Sequence, residues 1–512
     1  MLSHYYFFFN ILYNIPMKYR AILLFILFFL FFFIFINHQH KIRIISIENS
    51  TTEELEKIVC IKGLNAKDIK QINIEVSGEK ADTLNYNVTE ATKINEKNNI
   101  LKIPIKYLIA GKVSDILINI TKKNNKTFRK KIRIKTDISK KLKKHIPIVE
   151  VKKSQKIKNR LYFFMLWLPL NPSHLNKEVK TFPILMDSQC NIRSFLNEQI
   201  KNKILKLQPV SENKIESFHI TTERYPIFIK EKNVLFNFAT NEKNTTVTDY
   251  ILEINAKDNK IIKKLNLCNI LDQNRLIFND ENTFVKQNFR DWLHPNSILY
   301  DNRDQSLIIS SRYQGLFKIG TDGKLKWILS THKDWKNKYK NFLLNAINEK
   351  NELLEKDIQN GLKYYKNNNY EFEWPSGQHC VTFTKDKDLL IFDNGISRDY
   401  TNQKYSRAVI YKIDEQNMTV KQVWQYGKEI QDKFFSYFHG TAYNYNTSIF
   451  INPSSIIVDL SKPALNTIKE IDINTKEVLS DFYFTFKNIK QGKNHPWFDE
   501  IYDARIVNIE DL

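Results

Sequence analysis

Asp291-Trp292-Leu293-His294-Pro295-Asn296-Ser297-Ile298-Leu299-Tyr300 runs through a polar turn, Asp301 to Gln305, into Ser306-Leu307-Ile308-Ile309-Ser310-Ser311-Arg312. Two apolar runs around a charged, Asn-containing turn form the pattern of a β-hairpin. Folding near Arg303 brings Asn296 and Arg312 to one end. His294 and Asn296 are two apart, so an extended strand points them to the same side. Pro295 favours extended backbone in the residue before it. Three groups able to bind an anion are therefore expected at one hairpin mouth.

The same unit recurs downstream. Second hairpins can be laid over one another at Tyr250–Ile254 with Ile261–Leu265, Gly315–Ile319 with Lys324–Ile328, Val409–Asp414 with Val420–Trp424, and Ile468–Asp472 with Glu477–Leu479. First hairpins begin near His219, His294, His379 and His439. Four strands per repeat is the signature of a propeller blade. A fainter copy lies at Pro183–Asp187 with Ile192–Phe195, and Asp503–Val507 is expected to close a blade begun near residue 200. The fold class is thus all-β, a propeller of five blades with a sixth expected, over residues 159–512. Equivalent positions of successive blades converge on a central channel, which makes the four histidines candidates for one site.

Ahead of the repeats, residues 41–137 alternate over short runs such as Ile72-Asn73-Ile74-Glu75-Val76 and Ile116-Leu117-Ile118-Asn119-Ile120, as in a small β-sandwich. Residues 138–158 are Lys-rich and read as a linker. Residues 334–370 carry Leu343, Leu344, Ile347, Leu353, Leu354, Ile358 and Leu362 at helical spacing and read as a helical insertion that packs on the propeller, with a lid as the alternative. Residues 1–40 form a cytoplasmic tip and a transmembrane anchor or signal. Ala21 to Ile36 is unbroken apolar sequence behind Lys18 and Arg20, with no small-residue cleavage site after it. The body is accordingly expected outside the cytoplasm.

Composition narrows the partners. The chain has 512 residues, 42% hydrophobic, with a formal net charge of +22. The Lys excess is scattered among Asn and Ile, with no Arg/Lys stripe interleaved with stacking aromatics, so nucleic acid is set aside. Cys60, Cys190, Cys268 and Cys380 include no Cys-x-x-Cys pair, which removes zinc-knuckle and thioredoxin-type sites and leaves disulfide pairing open. None has Pro two residues on, as a formylglycine sulfatase needs. Gly315 to Asp322 lacks the Lys-Ser/Thr ending of a phosphate loop.

His379 repeats the His294 arrangement. It precedes the turn Lys385 to Asp388 and the strand Leu389 to Asp393, opposite Asn394, with Arg398 and Arg407 following. For those two arginines, blade-to-blade ion pairing and function are both open.

Taken in order, Asp-Trp-x-His-x-Asn-Ser (Asp291 to Ser297), Ser-Ser-Arg-x-Gln (Ser310 to Gln314), Trp327 to Leu329, Gln378-His379, Phe392 to Gly395, Ser406-Arg407 and Val423 to Glu429 resemble the bacterial arylsulfate sulfotransferases. The resemblance runs from about residue 215 to the end. It implies a six-bladed propeller behind a β-sandwich, exported to the periplasm. It implies transfer of a sulfuryl group between phenols without phosphoadenosine phosphosulfate, by a ping-pong mechanism through a sulfated histidine. Carried over, His379 is the nucleophile, His294, Asn296 and Arg312 bind sulfuryl oxygens, and His219 matches a further active-site histidine. His294 or His219 is expected to move the proton of the phenol. Roles for Cys380, His439 and Thr441 stay open.

The expected partners are a phenolic sulfate donor and a phenolic acceptor. No cofactor and no metal are expected, inner-membrane anchoring is expected from Ala21 to Ile36, and a homodimer is left open. The rival reading is a non-catalytic exported propeller that binds anionic aromatic ligands or a partner protein.

Overall fold

Among the described residues of the computed structural model almost every segment is β, and the helices are short 3-10 turns and single α-turns. It describes residues 42–511 except 51–52, 89–94, 98–99, 139, 144–145, 170–178, 196–213, 216–217, 221–226, 230–233, 242–247, 256, 259, 276–291, 368–369, 397, 399–403, 455, 457–464, 487–488, 492–495 and 499. The expected anchor, Ala21 to Ile36, lies outside the described residues. Among those described, no helix is long and apolar enough to cross a membrane.

The chain divides into two units. The first runs to Ser77 and takes in Asn85–Leu108 and Val113–Ile134. Its strands form two four-stranded sheets. One orders Arg43–Asn49, Lys57–Lys62, Ile100–Ile105 and Asn95–Lys97; the other orders Leu84–Val88, Ile69–Ser77, Val113–Lys122 and Thr127–Lys135. Ile116, Ile118 and Ile120 alternate inward with Ile72, Ile74 and Val76, and meet Val59, Ile61, Leu101 and Ile103 in one core. Period-two burial of β-branched residues is what a sheet with one dry face requires. Each such side chain contributes roughly 1.5–3 kcal/mol.

The second unit holds Gly78–Leu84, Ile109–Lys112 and Lys135–Leu512. Five sheets of four or more strands lie among its described residues. The three that carry the candidate site follow one another in the chain. The first is Pro295–Asp301, Ser306–Ser311, Gly315–Gly320 and Leu325–Leu329. The second is His379–Phe383, Leu389–Asp393, Arg407–Asp414 and Thr419–Tyr426. The third is Thr441–Tyr445, Ser448–Asn452, Leu465–Asp472 and Val478–Thr485. Each is an antiparallel meander.

Apolar runs such as Leu307-Ile308-Ile309 replace alternation here because both faces are covered. Leu307 and Ile309 enter a core with Trp292, Phe317 and Ile328, whereas Ile308 enters another with Val381, Ile391 and Val409. Leu390 and Phe392 in turn face Ala442, Ile449 and Ile451. The sheets therefore stack face to face, and this brings their first strands side by side.

Three expectations are corrected. Glu500–Asn508 closes a sheet by pairing with Arg160–Pro169, so that sheet starts near residue 160 rather than 200. Residues 138–158 are more than a linker, since Ile148–Lys153 adds an edge strand to Val478–Thr485. Its apolar alternation, Val149 and Val151, is short and flanked by lysines. Residues 334–370 are not a helical insertion. They hold a 3-10 turn at Asn337–Phe342, one α-turn at Lys356–Gln359 and a strand at Asn345–Ala346 that pairs with Thr419 and Val420. Asn348 breaks the helical run by accepting the backbone N–H of Lys350 and Glu352. Leu344, Ala346, Leu354 and Ile358 pack into the core while Leu353 and Leu362 face solvent.

Candidate active site

His379 sits at the start of its sheet, on a backbone that only a few sequences can follow. Gly377 before it has φ +62°, and a Cβ there would lie 2.4 Å from Ile396 Cδ1. Gln378 is buried and anchors the turn to the preceding sheet, donating from Nε2 to the carbonyls of Ser311 (2.7 Å) and Gly315 (3.0 Å). Its own carbonyl accepts from Asn296 Nδ2 at 2.7 Å. The imidazole Nδ1 of His379 then lies 3.0 Å from the Gly440 carbonyl, on the following sheet. A carbonyl oxygen only accepts, so Nδ1 carries the proton and Nε2 keeps its lone pair.

The ring is also held neutral. Burial first, then His439, lower the His379 pKa well below the ordinary 6.5, with His294 and Arg312 adding to this and the Gly440 hydrogen bond opposing it. An uncharged imidazole with a fixed tautomer is a competent nucleophile.

Arg312 supplies the cation. Its backbone N–H donates to the His294 carbonyl at 3.0 Å, which closes the mouth of the 295–311 hairpin. The residue is 5% exposed, and its guanidinium lies 5.1–5.9 Å from the ring centres of Phe438, Tyr437 and Tyr313. Nη1 donates to the Tyr437 carbonyl at 3.3 Å. Nε and Nη2 are buried with no hydrogen-bond partner among the described residues. Two unpaired donors on a permanent cation are costly unless an anion meets them. Thr441 Oγ1, at the start of the next sheet, is likewise buried and unpartnered.

The expected set is thus partly assembled. His294 and Arg312 both act on the titration of His379. His294 has φ +49° and stands edge-on to Tyr313, ring centres 5.8 Å apart. Asn296 differs from expectation in what it touches. Its amide donates to Gln378 and so fixes the backbone beside His379. His219 is in the short strand Phe218–Ile220, opposite Thr240, and its side chain lies outside what is described.

Two features were given no role from the sequence. His439 stands edge-on to His379 with ring centres 5.6 Å apart. Its Nδ1 is 2.6 Å from Glu500 Oε1, and Ser454 Oγ donates to Glu500 Oε2 at 2.9 Å. The repeat phase pointed to His439; nothing local marks Glu500.

Arg398 and Arg407 resolve as ion pairs. Arg407 contacts Glu373 (3.0 Å) and Asp393 (2.9 Å), and Arg398 pairs with Asp393, all of them buried. Burial pushes the Cys380 thiol up to about 11, which leaves it a poor nucleophile. Among the described residues no three His, Cys, Asp or Glu side chains are grouped to hold a metal.

Similarity to known proteins falls on this same region. Residues 226–493, a little over half the chain, match the family described as arylsulfotransferase (ASST). That stretch includes His294, Asn296, Arg312, His379 and His439 and leaves out His219 and Glu500. Arylsulfate sulfotransferase AssT of Escherichia coli O6:H1 and that of Lelliottia amnigena are each 38% identical over 197 residues, which is 37% of this chain. The match spans 32% of those relatives' own length. A crystal structure of a DUF4784 family protein from Bacteroides caccae covers 86% of this chain and 95% of its own, at 8% identity and a TM-score of 0.21, too low to bear on the fold.

Proposed function

Because the chain belongs to the arylsulfotransferase family, we propose that it moves a sulfuryl group from a phenolic sulfate ester to a phenolic acceptor through a sulfohistidine at His379. The observation that carries this is the pairing of a neutral, Nδ1-protonated imidazole with a buried guanidinium whose Nε and Nη2 are unpartnered.

The chemistry follows from the groups. An aryl sulfate monoester carries one negative charge, which Arg312 attracts in a partly dry site. His379 Nε2 forms a bond to sulfur while the S–O bond to the phenol breaks and the phenolate leaves. An acceptor phenol, deprotonated as it attacks, then takes the sulfuryl group and returns the electron pair to Nε2. Splitting the transfer this way replaces one difficult step by two easier ones. Arg312 stabilises charge on the equatorial oxygens, with His294 beside it, as cations do in phosphoryl transfer. Asn296 holds the Gln378 carbonyl and thereby the nucleophile.

The wider setting belongs to the same proposal. Three consecutive sheets with adjoining first strands, and a C-terminal strand that returns to Arg160–Pro169, support a six-bladed propeller closed by that strand. Export to the periplasm, with the apolar segment Ala21 to Ile36 as signal or anchor, completes it. Cell fractionation with an antibody to the body tests that point.

The test of activity is transfer from 4-nitrophenyl sulfate to phenol by the purified full chain, beside His379→Ala. The variant is expected to lose at least about three orders of magnitude in rate. Equal rates would overturn the assignment of His379. Aryl sulfate binding without turnover by the unaltered protein would favour a binding module instead.

A further inference from the structure

We propose that His439, oriented by Glu500, is the acid–base group that protonates the departing phenolate and then deprotonates the acceptor phenol. This rests on the sulfuryl-transfer reading above. Glu500 begins the C-terminal strand Glu500–Asn508, and its side chain is 5% exposed. It accepts from Ser454 Oγ on one oxygen and meets His439 Nδ1 at 2.6 Å on the other. A buried carboxylate on one imidazole nitrogen fixes the tautomer, favours the imidazolium and makes the opposite nitrogen the one that exchanges its proton. The His439 side chain is 26% exposed, enough to meet a ligand. Its ring centre is 5.6 Å from that of His379, so a group bound to His379 is within its reach.

Groups that face His439 among the described residues include Glu500 and Tyr502 from the last strand, His379 from the preceding sheet, and the Phe438 ring that covers Arg312. Of these, Glu500 alone contributes negative charge in direct contact. The arrangement gives two neighbouring imidazoles different partners, a backbone carbonyl on His379 and a carboxylate on His439, which is how one site can hold both a nucleophile and an acid.

In the first half-reaction the His379 Nε2 lone pair forms the N–S bond as the S–O bond to the phenol breaks. The His439 Nε2 proton passes to the phenolate oxygen, and His439 is left neutral. In the second, neutral His439 takes the proton of the acceptor phenol, whose oxygen bonds to sulfur as the N–S bond breaks. Glu500 touches no reacting atom and is a positioning residue.

The experiment varies the leaving group. Single-turnover phenol release by the full chain is followed with 4-nitrophenyl sulfate, whose phenolate needs little help, and with phenyl sulfate, whose phenolate needs protonation. His439 has φ +56°, a conformation Asn tolerates, so His439→Asn is the variant. It is expected to slow release from phenyl sulfate about 100-fold or more and from 4-nitrophenyl sulfate less than about 10-fold. Equal slowing of both donors would overturn the proposal. Glu500→Gln, which preserves shape, provides a second arm. Losing the carboxylate lowers the His439 pKa, so the alkaline limb of the phenyl sulfate profile is expected to move to lower pH, and Glu500→Asp to restore it in part. An unmoved limb would also overturn the proposal. No transfer by the unaltered protein with either donor would instead refute the sulfuryl-transfer reading on which it stands.

Discussion

The Nδ1 of His379 lies 3.0 Å from the carbonyl oxygen of Gly440, so the residue that introduces one sheet sets the tautomer of the residue that opens the sheet before it. Gly440 has φ +101°, and a Cβ on it would fall 2.3 Å from Phe392 Cδ1. The carbonyl is placed by a backbone that only glycine can follow.

Gly440→Ala is therefore expected to cost about 1–3 kcal/mol in stability and to lower the rate of sulfuryl transfer by displacing that carbonyl. Thermal melting and single-turnover kinetics on one preparation check both. Unchanged kinetics in a folded variant would show that the Gly440 bond does not govern the nucleophile.

The pH dependence of His379 follows from the direction of its shift. Its folded-state pKa is well below 6.5, so the ring stays neutral as pH falls past 6.5 and protonates only well below it. Single-turnover kcat/KM with 4-nitrophenyl sulfate should have its acid limb well below pH 6.5. A limb at or above that value would mean that the neighbours of His379 do not hold it neutral.

Arg312 separates function from stability. Arg312→Met removes the cation proposed to meet the sulfate, and the expected loss in rate is about 10²–10³-fold. It also removes two buried donors that lack partners, so the melting temperature is expected to stay level or rise. A large fall in melting temperature would show that Arg312 serves the fold.

Arg407 is the opposite case. Arg407→Met leaves Glu373 and Asp393 short of a buried counter-charge, at a cost of about 3–5 kcal/mol by denaturant unfolding. A loss below about 1 kcal/mol would contradict that account. Burial raises the Glu373 pKa, but Arg407, Arg398 and Lys428 together outweigh it and bring it down to about 2. Since the folded value lies below the ordinary 4.5, this stabilisation is present above pH 4.5 and lost as pH falls toward 2.

Much of the site was legible because a hairpin is a local object. The turn after Tyr300 fixes the register that puts Arg312 against His294. The repeat phase singled out His379 and His439, which do meet. The contact of Asn296 with Gln378 was not foreseen because the strand is not regular there. A bulge between Pro295 and Ser297 and the positive φ of His294 break the two-residue alternation, so Asn296 turns to Gln378. The run 334–370 misled because buried leucines at helical spacing also suit a chain that folds back at its asparagines. Glu500 was out of reach: the expected closing strand was read from Asp503, and Glu500, three residues before it, meets His439 only through the long-range return of that strand beside Arg160–Pro169.

The most direct test is mass spectrometry of the full chain mixed with 4-nitrophenyl sulfate, quenched at alkaline pH and digested. An adduct of roughly 80 Da, the mass of one sulfuryl group, is expected on the peptide bearing His379 and should disappear when phenol is added before the quench. An adduct on another residue, or turnover with none on His379, would contradict the account.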